Sequence, residues 1–216
     1  MDGMLIVNNL AGLLIVTSML VIGTQSVLSA ARWYALQSLV LVGVFLALAA
    51  TQGSGELYLW SLSAFVTKVV LVPLIMVRTL GRLADREQLP GVLGTGWMML
   101  LAALIVMLSW FAVSSVKLAV VADLKPALAV SLGHFMLGLM CIVTQRNILK
   151  QIFGYCLMEN GAHLTLALMA SKAPELVEVG IATDAVFAVL IMAILARRIQ
   201  RTLNTLDVKQ LTALKG

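Results

Sequence analysis

Leu57-Tyr58-Leu59-Trp60-Ser61-Leu62-Ser63-Ala64-Phe65-Val66-Thr67-Lys68-Val69-Val70-Leu71-Val72-Pro73-Leu74-Ile75-Met76-Val77-Arg78 carries one charge, Lys68, before its closing Arg78. A bilayer span needs roughly 20 mostly apolar residues, and this run supplies them. A charged Lys at its centre costs roughly 3 kcal/mol even on the mildest insertion scale. A lysine that deep must face a bundle interior, a water-filled cavity or a carboxylate rather than lipid. Pro73 has no N–H to offer the carbonyl of Val69 and so leaves a second polar group close to the charge. The run predicts a membrane fold and a place inside it where polarity is wanted.

The rest of the chain follows the same pattern. Its 216 residues are 61% hydrophobic and 12% charged, whereas a water-soluble domain needs about 25% charged residues. The net charge of +5 and pI near 9.5 do not point to nucleic acid, because the basic residues sit at the ends of apolar runs, where they mark orientation. Seven stretches reach spanning length: 4–24, 34–51, 57–78, 94–114, 126–145, 150–171 and 179–198. The first is too long for a signal-peptide core and lacks a basic lead, so it reads as a retained span. The expectation is an all-α, polytopic bundle of about seven transmembrane helices.

Seven spans put the termini on opposite sides. With the C-terminus in the cytoplasm and the N-terminus outside, the inner segments carry Arg32, Arg78, Arg82, Arg86, Arg146, Lys150, Arg197, Arg198, Arg201, Lys209 and Lys215. The outer ones carry only Lys117, Lys125 and Lys172, a strong positive-inside bias. No soluble domain is inserted, and no fixed-period repeat is present. The natural division is near Lys125-Pro126: a four-span part over 1–125, a three-span part over 126–200 and a cytoplasmic tail over 201–216. In the tail Leu203, Leu206, Leu211 and Leu214 recur among polar residues, as in a segment that lies against a partner or the membrane surface.

Several chemistries are excluded or unsupported. Cys141 and Cys156 are spaced like neither a CxxC pair nor an iron–sulfur set, so no metal and no cofactor is expected. No nucleophile–base pair or phosphate loop is present, and the chain is not expected to be an enzyme by itself. Trp33, Trp60, Trp97 and Trp110 fall near span ends as an aromatic belt does. The scattered methionines fill packing gaps.

The ionisable residues inside spans are the candidate functional groups. Glu159 lies near the middle of the sixth run with His163 four residues on, so both project from one helix face. A desolvated carboxyl holds or releases a proton near neutral pH, and an imidazole passes one on. Asp184 enters the seventh run beside Thr183, and His134 stands between Gly133 and Gly138 in the fifth. Counting about 1.5 Å per residue from the outer boundary puts Asp184 near 8 Å, His134 and His163 near 12 Å, and Lys68 and Glu159 near 17 Å. That is a layer parallel to the membrane, suited to lateral proton transfer or charge coupling. The alternative for each residue is structural: an interhelical ion pair, a buried hydrogen bond or a helix-end carboxylate.

From Ala127 to Gly216 the sequence resembles subunit K of respiratory complex I. The matching residues are Leu137-Gly138-Leu139, Gln145-Arg146-Asn147-Ile148-Leu149, Gly154, Met158, Asn160, Leu164 and the ending Leu206-Asp207-Val208-Lys209-Gln210-Leu211-Thr212-Ala213-Leu214-Lys215-Gly216. With four further spans in front, and with Val7-Asn8-Asn9-Leu10-Ala11-Gly12, Thr67-Lys68-Val69 and Gly154-Tyr155-Cys156-Leu157-Met158-Glu159-Asn160-Gly161, the whole chain is similar to the component E family of hydrogenase-4 complexes. The resemblance implies a non-catalytic membrane subunit of a formate hydrogenlyase or related group 4 [NiFe]-hydrogenase. Its implied partners are antiporter-like membrane subunits, a complex I-like membrane anchor, [NiFe]-hydrogenase and iron–sulfur subunits, and the lipid bilayer, with no nucleic acid. The K family's carboxylate in its last span falls on Asp184. Its other glutamate falls on Cys156, and Glu159, one helical turn later, is the displaced equivalent. The alternatives are a subunit of a multisubunit cation/proton antiporter, whose small subunit is also K-like, and a structural adaptor without proton transfer.

Overall fold

The computed structural model describes residues 2–80, 91–117, 119–170 and 175–211. The expected connection around 79–93, with Arg82, Asp85 and Arg86, lies mostly outside them, as do Lys172 and the tail beyond Leu211. A backbone in hydrocarbon has no water to bond, so each segment must satisfy its own N–H and C=O groups, which helices do. The order is α1 (Asp2–Gly23), α2 (Val27–Gln52), α3 (Gly55–Ala64), a π-helical segment (Phe65–Leu71), α4 (Val72–Leu80), α5 (Thr95–Ser114), a 3-10 turn (Ala119–Leu124), α6 (Lys125–Thr144), α7 (Ile148–Met169), α8 (Glu175–Leu203) and α9 (Val208–Leu211).

Local sequence sets the boundaries. Gly53 adopts the left-handed conformation (φ 63°) that ends α2, and Ser54 caps the next helix by accepting from the Leu57 N–H. Asn147 caps α7 through the Leu149 N–H, and Pro126 occupies the first turn of α6, where its missing donor costs nothing. α3, the π-helical segment and α4 run on as one rod over the expected third span. Pro73 does not break that rod. The turn before it widens to π geometry, with the Val72 N–H reaching the carbonyl of Thr67, and Lys68 rides on the widened turn.

Among the described residues six helical runs are long and apolar enough to cross a membrane: 3–23, 27–52, 55–79, 96–114, 121–144 and 179–203. The remaining expected span, 150–171, is α7. It has the length, but Lys150, Gln151, Glu159, Asn160 and His163 lower its apolarity. Enclosure makes that polarity tolerable, since α7 packs against α6, α2 and α8. The α6–α7 contact is the most extensive among the described elements. A Cβ at Gly138 would sit 2.6 Å from the Gly154 carbonyl oxygen, and one at Gly161 would sit 2.5 Å from the Phe135 nitrogen. Only glycine lets these backbones meet.

Two apolar clusters make the core. One gathers Leu14, Leu41, Ala64, Ala129 and Leu164; the other gathers Val21, Tyr34, Val72, Leu137 and Leu157. Each of the five elements α1, α2, the α3–α4 rod, α6 and α7 passes from one cluster to the other, and both clusters draw on residues before and after Lys125.

Two expectations change. Trp60 is fully buried, inside the first cluster, so it is a core residue, whereas Trp33, Trp97 and Trp110 are exposed as anchors are. The tail, as far as Leu211, lies against its own chain. Ile148 N–H donates to the Leu206 carbonyl at 3.2 Å and Val208 N–H to the Arg146 carbonyl at 2.9 Å, pairing Asn147 with Asp207 in an antiparallel bridge. Asp207 is buried and ion-paired to Arg146, whose Nε donates to Oδ1 at 3.1 Å.

Candidate functional site

Six buried polar side chains of the bundle lie in the gap between the two apolar clusters. Ser18 follows Leu14 on α1, Gln37 and Ser38 lie between Tyr34 and Leu41 on α2, and Lys68 lies between Ala64 and Val72 on the π-helical segment. His134 lies between Ala129 and Leu137 on α6, and Asn160 between Leu157 and Leu164 on α7. All six are buried.

Lys68 is 1% exposed, and its Nζ donates to Glu159 Oε1 at 2.5 Å and to Asn160 Oδ1 at 2.8 Å. An ammonium can be held in such a place only by a counter-charge and further hydrogen bonds, and neighbouring residues of α7 supply both. The π-helical turn carries the lysine to them. Glu159 is 13% exposed, so the carboxylate is the more open member of the pair.

From Asn160 the bonding continues across the bundle. Asn160 Nδ2 donates to Gln37 Oε1 at 2.9 Å, Gln37 Nε2 lies 3.1 Å from His134 Nε2, and His134 Nδ1 lies 2.7 Å from Ser18 Oγ. Three further elements, α2, α6 and α1, are thus tied to the ion pair through hydrogen-bonded polar groups, which strengthen one another in a dry interior.

Of the five residues expected from sequence, Lys68 and Glu159 touch, and His134 joins them through Asn160 and Gln37. His163 is buried one turn beyond Glu159, in an aromatic enclosure, with its ring 4.8 Å from Phe45 and 5.4 Å from Trp60 between centroids. Asp184 does not join. It is exposed on α8, and Thr183 beside it bonds the Val179 carbonyl of its own helix. Tyr155, on α7, is within electrostatic reach of both Asp184 and Glu159. Among the described residues no three His, Cys, Asp or Glu side chains gather to hold a metal ion.

Sequence reasoning missed Gln37, Ser38 and Ser18. Gln37 fell near the expected start of a span at 34, with exposed Arg32 as the apparent boundary, but the helix begins at Val27 and Gln37 is well inside it. Serines in an apolar run carry little signal, since they bond the preceding turn, as Ser18 does to Leu14.

The family described as NADH-ubiquinone/plastoquinone oxidoreductase chain 4L matches residues 126–216. Hydrogenase-4 component E of Escherichia coli (strain K12) is 58% identical over 216 residues, covering all of both chains, and so is hydrogenase-4 component E of Shigella flexneri. An uncharacterized protein of Mycobacterium tuberculosis is 23% identical over 218 residues, covering 98% of this chain and 96% of that one. No solved structure matches the chain.

Proposed function

From its place in the hydrogenase-4 component E family, to which this chain belongs, we infer that it is a non-catalytic membrane subunit of a group 4 [NiFe]-hydrogenase complex that moves or couples charge laterally. The chemistry at hydrogen resides in partner chains. This subunit sits in the bacterial cytoplasmic membrane, beside antiporter-like subunits and a complex I-like anchor, and contributes ionisable groups to proton movement linked to hydrogen metabolism. It works in a formate hydrogenlyase or a close relative of one.

The observation that carries this reading is the Lys68–Glu159 pair, 2.5 Å apart between the π-helical segment and α7. Widened turns of this kind are frequent at functional sites, and an intramembrane ion pair is expensive to maintain for packing alone. The carboxylate is the open end of the pair, and Tyr155 and the exposed Asp184 extend the polar groups towards the outer face of α8. A proton passed from Lys68 to Glu159 neutralises both groups at once, and its return restores both.

The test is hydrogen-linked proton movement in membrane vesicles containing the assembled complex. Glu159→Gln and Lys68→Ala should each reduce it by tenfold or more while the subunits still co-purify in mild detergent. Undiminished proton movement in both variants defeats the reading and leaves the pair an interhelical tie.

A further inference from the structure

We infer that Gln37 and Asn160 are positioning residues that carry hydrogen-bond polarity, and no proton, between Lys68 and His134, so that the charge on Lys68 selects the tautomer of His134. An ammonium has only donors. The Asn160 atom 2.8 Å from Lys68 Nζ is therefore its oxygen. The Asn160 nitrogen then faces Gln37 at 2.9 Å, so Gln37 presents oxygen on that side and its own nitrogen to His134 at 3.1 Å. Nε2 of His134 must accept, and the neutral ring holds its hydrogen on Nδ1, pointing to Ser18 Oγ at 2.7 Å. Ser18 in turn donates to the Leu14 carbonyl at 2.5 Å. Ser38 follows the same sense, accepting from Asn160 Nδ2 and donating to Gln37 Oε1, each at 3.4 Å. Every donor points away from Lys68, towards α1.

A carboxamide N–H is not acidic enough to hand on a proton as a carboxyl or imidazole does. Two carboxamides in series therefore block proton hopping between Lys68 and His134 while still transmitting orientation. When Lys68 Nζ gives its proton to Glu159 Oε1, the +1 and −1 charges become two neutral groups, and the amine gains a lone pair. It can then accept from the Asn160 nitrogen. With both carboxamides turned over, Gln37 offers oxygen to His134 and the Nε2–H tautomer becomes equally well satisfied. The other groups facing His134 are Ser18 from α1 and Gln37 from α2, and the charge acting on it is Lys68. The inference rests on reading Lys68–Glu159 as a pair whose charge state changes.

The chain has two histidines, so 15N-histidine labelling of the full chain in lipid nanodiscs gives a spectrum that a His134→Asn variant assigns. The native protein should show His134 with hydrogen on Nδ1 alone. Gln37→Leu, which cuts the link with the ion pair intact, should give a mixture of tautomers. The charge-balanced double variant Lys68→Met/Glu159→Gln should do the same. An Nε2-bound hydrogen in the native protein, or an undiminished Nδ1 tautomer in either variant that folds, overturns the inference. Hydrogen-linked proton movement is a separate readout. Its indifference to Lys68 and Glu159 defeats the charge-movement reading whatever the histidine does, and the histidine spectrum defeats the polarity relay whatever the transport does.

Discussion

Lys68 and Glu159 stand 2.5 Å apart but differ in enclosure, the lysine 1% and the carboxylate 13% exposed. Removing the carboxylate strands a buried ammonium, whereas removing both charges strands nothing. Lys68→Met and Glu159→Gln should each lower stability by about 3–5 kcal/mol, with the double variant closer to native than either. Thermal unfolding of the purified chain in one detergent checks this. Additive losses would show that the two groups are not coupled.

Asp184 should separate stability from function. It is exposed on α8 and outside the buried network, so Asp184→Asn should change unfolding by no more than about 0.5 kcal/mol. In the assembled complex the same variant should reduce hydrogen-linked proton movement, because the proposed path leaves the chain at this helix.

Tail docking should depend on pH in one direction. The Arg146 guanidinium, hydrogen-bonded to Asp207, holds that carboxyl below its ordinary range, and Asp207 in turn holds Arg146 above its own. A depressed carboxylate stabilises the docked form above its undocked pKa, and that contribution is lost as pH falls through the docked value. Protection factors at the Ile148 and Val208 amides, taken against the intrinsic exchange rate at each pH, should therefore be high at neutral pH and fall in acid. In Asp207→Asn they should be low at neutral pH as well.

Gly161 in the α6–α7 hairpin should differ sharply from Gly43 in α2. A methyl at Gly161 would lie 2.8 Å from the Ser131 carbonyl oxygen, whereas one at Gly43 meets nothing within 4 Å. Gly161→Ala should cost about 1–3 kcal/mol or more by forcing the helices apart. Gly43→Ala should be neutral or stabilise by up to about 1 kcal/mol. Melting temperatures in one detergent compare the two.

The spans and the buried charges were legible because apolar length and an unaffordable lysine are properties of single segments. That Lys68 meets Glu159 was not legible, since it depends on how two distant helices face each other, although its need for a bundle interior, a water-filled cavity or a carboxylate was. Trp60 misled because position near a span end does not reveal which way an indole points. Gln37 was hidden by Arg32, which drew the span boundary inward from Val27. The tail's leucines announced an apolar contact without naming its surface, and the surface proved to be the α6–α7 turn of the same chain.

The two apolar clusters above and below the polar layer have an electrical consequence. Moving one elementary charge across a membrane at 100 mV takes about 2.3 kcal/mol, and nearly all of that drop falls across low-dielectric material. Ser18, His134, Gln37, Asn160 and Lys68 occupy the seam between the clusters. A charge displaced between Lys68 and Glu159, within that seam, travels close to an equipotential surface. On the proposed reading the packing on either side acts as the insulator of a capacitor, and a charge shifted sideways between the two residues leaves the potential across the membrane undischarged.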